Sequence, residues 1–272
     1  MFSATTDVSV ATDKMALKHK IAGELTQMVT CQLDPDQAVY ANADKFRWKT
    51  TNVSIETRLS GQAESKGKGF LGAALATATE VGKRALAGQS LAFQWFRPAG
   101  GSGLVSFAGE MPGQVRALDL DGTTGWYAER GAFVCAEEGV DFDIAFTGMR
   151  LGRRGGQGFI LQHFTGSGTL LVAGGGNLVE IDPAAYGGKV HVHAGAVAAF
   201  SDTITFDVER VGALNAQTAM TAMFGGQGLY LVTLSGTGTV LLQSTLHGTM
   251  LSEQNREESE RHGLAGSLLD QL

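Results

Sequence analysis

Two histidines separated by one residue, His191 and His193 in the run VHVH, are the sharpest candidates for chemistry. In a β-strand, residues two apart point to the same face, so the two imidazoles would lie side by side. Such a pair can bind Zn, Fe, Cu or Ni. Metal-dependent cupins add a glutamate and a third histidine, and no glutamate follows at that spacing here. The pattern therefore favours an outward polar strand face, with a metal site at these two residues as the alternative.

The rest of the chain offers little catalytic chemistry. It contains no Gly-x-Ser-x-Gly elbow for a nucleophilic serine. Cys135 aligns with Ala199 of a related stretch, which indicates a small buried apolar residue rather than a nucleophile. Three acidic residues recur at equivalent places of a repeated pattern, which favours a structural role: Glu56, Asp143 and Asp207. We therefore predict no catalytic residue and no cofactor.

Charge and composition limit the classes of molecule that the protein is expected to bind. The formal net charge of -6 disfavours DNA binding, because nonspecific contact with phosphates needs an excess of Lys and Arg. Single-stranded RNA binding needs basic grooves with stacking aromatics, and FRWK, residues 46–49, is the only such cluster. Phe46 aligns with Phe133 and Val197, which favours a core position for it. The two cysteines form no disulfide framework and the first twenty residues carry no signal-peptide pattern, so we expect a cytoplasmic protein.

The chain repeats itself. GGQGFILQHFTGSGTLLV, residues 155–172, returns as GGQGLYLVTLSGTGTVLL, residues 225–242, and a weaker copy precedes both at 87–107. A second kind of segment alternates with the first, at 39–57, 126–144 and 190–208. Repeats of this length indicate an architecture built from similar units. The alternation predicts a closed, pseudo-threefold body, since closure leaves few exposed sheet edges.

The repeated segments have the composition of strands. Residues 159–164 and 229–234 are rich in β-branched and aromatic side chains, and both faces are apolar at 159–164. The Gly-Ser-Gly and Gly-Thr-Gly elements fall between two apolar runs, which predicts hairpin turns there.

These motifs resemble a known family. GGQGFILQHFTGSGTLLV, then GNLVEIDP, then HAGAVAAF with ITFDVERVG, and finally FGGQGLYLVTLSGTGTVLLQS are similar to the altered-inheritance-of-mitochondria twenty-four family over about residues 24–245. The resemblance implies the triplicated double-stranded β-helix of the tryptophan RNA-binding attenuation protein. Mitochondrial members are implicated in organising inner-membrane architecture. The resemblance supplies no catalytic residue, and two stretches depart from the family: the join at 67–86 and the tail from about Thr249.

We predict an all-β fold in which three internal repeats form a closed pseudo-threefold double-stranded β-helix or β-prism, with short peripheral helices. The predicted parts are an N-terminal extension at 1–23, the β domain at 24–245, and a C-terminal helical tail at 246–272. Apolar residues at helical spacing predict a helical insertion at 69–86.

The predicted function is a non-enzymatic scaffold or binding protein that self-associates, with a trimer suggested by ring-forming relatives. The tail would supply partner contacts through Leu264, Leu268 and Leu272. Three alternatives stay open. They are a metal-dependent cupin-like enzyme using His191 and His193, RNA binding, and contact with a membrane surface through 69–86.

Overall fold

The computed structural model describes residues 16–59, 92–148, 159–210 and 230–246. This part of the chain is mostly β, as predicted. Its eighteen strands are β1 Lys18–Ala22, β2 Met28–Leu33, β3 Val39–Ala41, β4 Phe46–Lys49, β5 Val53–Leu59, β6 Ala92–Pro98, β7 Gly103–Ala108, β8 Val115–Asp121, β9 Trp126–Glu129, β10 Phe133–Glu137, β11 Val140–Gly148, β12 Phe159–Ala173, β13 Leu178–Ile181, β14 Lys189–His193, β15 Val197–Ser201, β16 Ile204–Arg210, β17 Tyr230–Gly236 and β18 Val240–Gln243. The helical elements in these ranges are four 3-10 turns, at Ala43–Lys45, Arg130–Ala132, Pro183–Tyr186 and Ala194–Ala196.

Three successive segments have the same strand pairing, all of it antiparallel. In the first segment, β2 to β7, strand β7 lies between β2 and β4, and β6 lies between β3 and β5. In the second, β8 to β12, the long strand β12 fills both positions: its C-terminal half pairs with β8 and β10, and its N-terminal half with β9 and β11. In the third, β13 to β18, strand β18 lies between β13 and β15, and β17 between β14 and β16.

The three segments also share a 3-10 turn and a β-bulge at equivalent positions. Strands β4, β10 and β15 each follow a 3-10 turn directly. Each also has a register shift between its first and third residues against its neighbour, which is typical of a β-bulge. Phe46, Phe133 and Val197 are the first residues of these strands, as the sequence alignment predicts, and Phe46 packs half-buried against the core. The core position predicted for Phe46 is confirmed.

The predicted hairpin turns are wrong. Strand β12 runs without a break through Gly166-Ser167-Gly168, and its two halves pair with different strands. Gly166 and Gly168 have φ of 94° and 139°, values that favour glycine, so the chain turns here from one sheet into the next. A Cβ at Gly166 would collide with the carbonyl oxygen of Gly139. Gly236, with φ of 120°, ends β17 in the same way before β18 begins.

Two joints connect strands of the three segments in one eleven-stranded sheet, while β1-β2-β7-β4 and β14-β17-β16 form two separate sheets. At the first joint β10 pairs with β3, and at the second joint β15 pairs with β9. Continuing this pattern would pair β4 with β14. Among the described strands, however, β4 pairs only with β7 and β14 only with β17. The described sheets are therefore not closed, in contrast to the closed body predicted from the repeats.

The core fills the space between these sheets. Five phenylalanines are fully buried, and they are spread over all three segments: Phe96, Phe107, Phe133, Phe164 and Phe200. Cys31 and Cys135 are free and buried, and burial raises the pKa of the Cys135 thiol, which keeps it protonated. Cys135 is thus the small buried residue that the sequence predicts.

Several predictions fall outside the described residues. They are the helical insertion at 69–86, most of the tail at 246–272 with Leu264, Leu268 and Leu272, and both Gly-Gln-Gly elements. In the ranges that the structure describes, no helical element is long and apolar enough to cross a bilayer.

Candidate functional site: two open sheet edges

His191 belongs to a row of residues that crosses three strands. It lies opposite Thr233 of β17, which in turn lies opposite Asp207 of β16. The other two segments carry the same row with different side chains. These rows are Tyr40, Trp95 and Glu56 in the first segment, and Tyr127, His163 and Asp143 in the second. The three acids of these rows are the ones that the sequence places at equivalent positions, and the register agrees with that placement.

Exposure increases along the equivalent positions Tyr40, Tyr127 and His191. Tyr40 is 3% exposed and donates a hydrogen bond of 2.8 Å to the carbonyl oxygen of Val140. Tyr127 is half-buried, and its ring stacks against Phe200 at 5.1 Å. His191 is exposed. The trend follows the joints, because β3 and β9 are each covered by a strand of the next segment, whereas β14 has no such neighbour in the described ranges.

His193 caps the 3-10 turn that follows it. Its Nδ1 accepts a hydrogen bond of 3.0 Å from the backbone N–H of Gly195. Glu129 does the same in the second segment, where its carboxylate accepts from Gly131 N–H at 2.7 Å. A neutral imidazole that accepts at Nδ1 carries its proton on Nε2, which leaves no free lone pair there. Binding a metal through His193 would therefore require giving up the cap.

The metal prediction concerns His191 and His193, for which the described part of the chain supplies no third ligand. His191 Nδ1 lies 3.1 Å from the Thr233 hydroxyl and shares a hydrogen bond with it. Among the described residues, no group of three or more His, Cys, Asp or Glu is placed to hold an ion. The site at His191 and His193 stays a prediction, and completing it would take a ligand from elsewhere.

A third histidine, His163, forms a contact that the sequence does not reveal. His163 stacks on Tyr127 with ring centroids 4.4 Å apart, and its Nε2 lies 3.5 Å from Asp202 Oδ2. The same oxygen accepts a hydrogen bond of 2.8 Å from Gly125 N–H. His163 and Asp202 are 39 residues apart, and the pairing of β15 with β9 brings them together. No spacing rule could have found this contact.

Lys45 is the other group that sequence reasoning missed. Its side chain is fully buried, and its ammonium lies 2.9 Å from Glu110 Oε1 and 3.5 Å from Asp44 Oδ2. It also donates to the carbonyl oxygen of Gly131 at 3.3 Å. Three acceptors match the three donors of an ammonium, so this lysine links two segments and has no donor left for a substrate. A shallow cleft lined largely by glycine backbone lies beside Gly131.

Strand β4 is more exposed than its equivalents β10 and β15, just as β14 is more exposed than β3 and β9. Strands β10 and β15 are almost entirely buried, whereas Arg47 and Trp48 of β4 are exposed. Trp48 has 41% of its surface exposed, which makes it one of the few exposed large apolar residues in the described ranges. We call β4 and β14 the open edges, and the four strands of the two joints the joined edges.

Comparison with known proteins agrees with the fold. The family model described as mitochondrial biogenesis AIM24 matches residues 19–245. An uncharacterized protein of Streptococcus pyogenes serotype M6 is 26% identical over 218 residues, which cover 80% of this chain and 81% of that protein. A crystal structure of a protein from Streptococcus pyogenes, from a structural genomics consortium, superimposes with a TM-score of 0.63 at 22% identity. That match covers 90% of this chain and 99% of the other.

Proposed function

We infer the function from the premise that this chain belongs to the family described as mitochondrial biogenesis AIM24. Neither relative named above has a described activity. We propose that the protein is a non-enzymatic scaffold or binding protein of the cytoplasm that associates with copies of itself. We also propose that its three segments are repeats of one double-stranded β-helix unit, arranged as a prism that is open at one of three joints.

One observation carries the proposal of self-association. Four edge strands of equivalent position are joined in pairs, and the two remaining ones, β4 and β14, keep unpaired edges in the described ranges. An unpaired strand edge presents a row of backbone donors and acceptors, which is a template for pairing with another chain. In the described ranges, the chain thus carries both strands of a third joint, of the kind that it forms twice internally, without pairing them to each other.

The polar groups near these edges support a non-enzymatic role. Lys45 has three oxygen partners, His193 caps a turn, and Asp202 holds Gly125 N–H while contacting His163. Each of these groups is engaged in holding strands and turns together. The middle members of the three rows, Trp95, His163 and Thr233, share no chemistry, and the acid that recurs at the end of each row fits the structural role expected from its recurrence.

Native mass spectrometry of the purified, untagged chain tests this proposal, because it reads subunit number and bound mass together. We expect multiples of the 28.5 kDa chain mass without added metal. A chain that stays monomeric at tens of micromolar would contradict self-association. One metal ion per chain, lost in both His191→Ala and His193→Ala, would replace the scaffold by a metal-dependent protein.

A further inference from the structure

We propose that β4 of one copy pairs antiparallel with β14 of a second copy, in the register of the two internal joints. This inference rests on the proposed self-association and specifies the surface that performs it. It places Trp48 opposite Val192 and Lys49 opposite His191. The partner is therefore a second copy of this chain, joined head to tail.

The register follows from the two joints already present. At the first joint Cys135 lies opposite Ala41, and Ala136 opposite Tyr40. At the second joint Ala199 lies opposite Ala128, and Phe200 opposite Tyr127. Both joints connect the strand after a 3-10 turn in one segment with the strand before a 3-10 turn in the preceding segment.

The residues of the two open edges have direct equivalents at the two joints. Trp48 takes the place of Cys135 and Ala199, because each is the third residue of its strand, after the same register shift. His191 takes the place of Tyr40 and Tyr127 in the row described above. Applying the rule of the joints to these equivalences gives the two predicted pairs across the new interface.

Trp48 supplies apolar surface for such an interface. At 41% exposed, it lies on a strand edge beside an exposed arginine, Arg47. Tryptophan and arginine are the residue types that most often dominate the binding energy of interfaces. Cross-strand pairs of an aromatic and a β-branched residue stabilise sheets, and Trp48 opposite Val192 is a pair of this kind.

Charges on the same edges limit how strongly they associate. Lys49 is half-buried, and its ammonium donates to the carbonyl oxygen of Thr50 at 3.4 Å. At the joined edges the equivalent residues are Ala136 and Phe200, which are buried. Lysine on an edge strand is a common device against uncontrolled pairing. A lysine opposite a histidine therefore favours a reversible joint over a permanent one.

A second copy fits better than the chain itself, because both edges are unpaired in the described part of a single chain. Each copy offers one β4 and one β14, so the contact is heterologous. Heterologous contacts either close into rings or continue as filaments. A dimer in which β4 of each copy pairs with β14 of the other would have two such joints related by a two-fold axis, whereas larger rings have one joint between each pair of neighbours.

Site-specific disulfides test the register. We would mix the full-length variants Lys49→Cys and His191→Cys, with different tags, under mild oxidation and analyse the products by non-reducing electrophoresis and peptide mass spectrometry. Residues directly opposite in antiparallel strands have Cα atoms about 4.5–5.5 Å apart, within the range of a disulfide. The native thiols of Cys31 and Cys135 are buried, so they leave the background low. Val179→Cys, on the exposed strand β13, replaces His191→Cys as the control.

The proposal predicts a cross-linked species that contains one copy of each variant, at least tenfold more abundant than with the Val179→Cys control. Disulfide within one chain of the double variant Lys49→Cys/His191→Cys, at high dilution, would show that the joint closes internally and would overturn the proposal. Oligomers without this cross-link would also overturn it, while leaving self-association itself intact. A chain that stays monomeric and forms no cross-link would overturn both the pairing of β4 with β14 and the proposed self-association.

Discussion

The joined and open edges use one backbone plan with different side chains. At the second joint, the fully buried Phe200 stacks across the strands on the half-buried Tyr127, and β15 is entirely buried. At the open edges, the equivalent positions hold Lys49 and His191, and the strands are partly exposed. The pairing pattern of each segment is the same in all three. The strands joined within the chain thus carry buried residues at positions where the open edges carry Lys49 and His191.

The comparison also explains where polar chemistry is found. At the joints, the positions equivalent to Lys49 hold the buried residues Ala136 and Phe200, and those equivalent to His191 hold Tyr40 and Tyr127. Burying an unpaired charge is costly, so a lysine at such a position favours an edge that water can reach. The exposed edge of β14 therefore explains the position of the histidine pair as well as a ligand would.

The largest difference between the two kinds of edge is expected on truncating equivalent residues. Phe200→Ala removes a fully buried ring that stacks on Tyr127 and Phe206, and we expect a loss of about 3–5 kcal/mol in the free energy of unfolding. Lys49→Ala, at the same position of the open edge, should change it by less than about 0.5 kcal/mol. Urea unfolding of both variants measures the contrast, and equal losses would show that β4 is packed like β15.

The next largest loss in the free energy of unfolding is expected for truncation of Lys45, because this side chain links the first segment to the second. Its equivalents are Ala132 and Ala196, so only the first segment uses a long side chain there. We expect Lys45→Ala to lower the free energy of unfolding by about 2–3 kcal/mol, through a cavity and an unsatisfied Gly131 carbonyl. Lys45→Met keeps the volume and should recover part of that loss in the same urea unfolding experiment. A Met variant as unstable as the Ala variant would assign the whole effect to the ammonium.

The three equivalent N-cap positions, two of which form a side-chain cap, give a graded series of smaller effects. Glu129→Ala and His193→Ala each remove an acceptor for a backbone N–H, and each should lower the free energy of unfolding by about 1 kcal/mol. Asn42, at the equivalent position, makes no cap hydrogen bond with its side chain, so Asn42→Ala should have no measurable effect. Thermal unfolding of the three variants checks the order. A large loss for Asn42→Ala would mean that the cap positions act through something other than the cap.

The smallest expected effect concerns the charges of the open edges. Replacing His191 by glutamate places a carboxylate opposite Lys49 in the proposed interface, and opposite charges across strands contribute about 0.2–1 kcal/mol. We expect His191→Glu to tighten association by about two- to fivefold and His191→Lys to weaken it by a similar factor. Sedimentation velocity over a concentration series measures both. Equal association of the two variants would contradict the proposed pairing of residues 49 and 191.

The sequence predicts the all-β fold and most of the equivalences between segments. The alignment of His191 with Tyr127 and Tyr40, and of Phe46 with Phe133, depends only on spacing and side-chain type, and the register reproduces both. The turn at Gly166 could not be predicted, because two apolar runs around a glycine pair fit either a hairpin or one strand that changes sheets.

Contacts between segments were beyond prediction for a different reason. Lys45 with Gly131, and His163 with Asp202, are brought together only by the joints, and no periodicity encodes which edges join. Closure was predicted from the general advantage of covering edges. Lys49 on β4 and His191 on β14 argue against closure, because a polar residue at a joint would have to be buried. Lys49 aligns with Ala136 and Phe200, which are buried.

Hydrogen exchange of the backbone amides, measured by mass spectrometry over a range of protein concentrations, tests the central claim most directly. Peptides that cover β4 and β14 should exchange quickly in dilute protein and become protected as concentration rises. Peptides from the joined edges β3, β9, β10 and β15 should be protected at every concentration. Slow exchange of β4 and β14 in a dilute monomer, equal to that of the joined edges, would contradict the account, because it would mean that these edges are already covered within one chain.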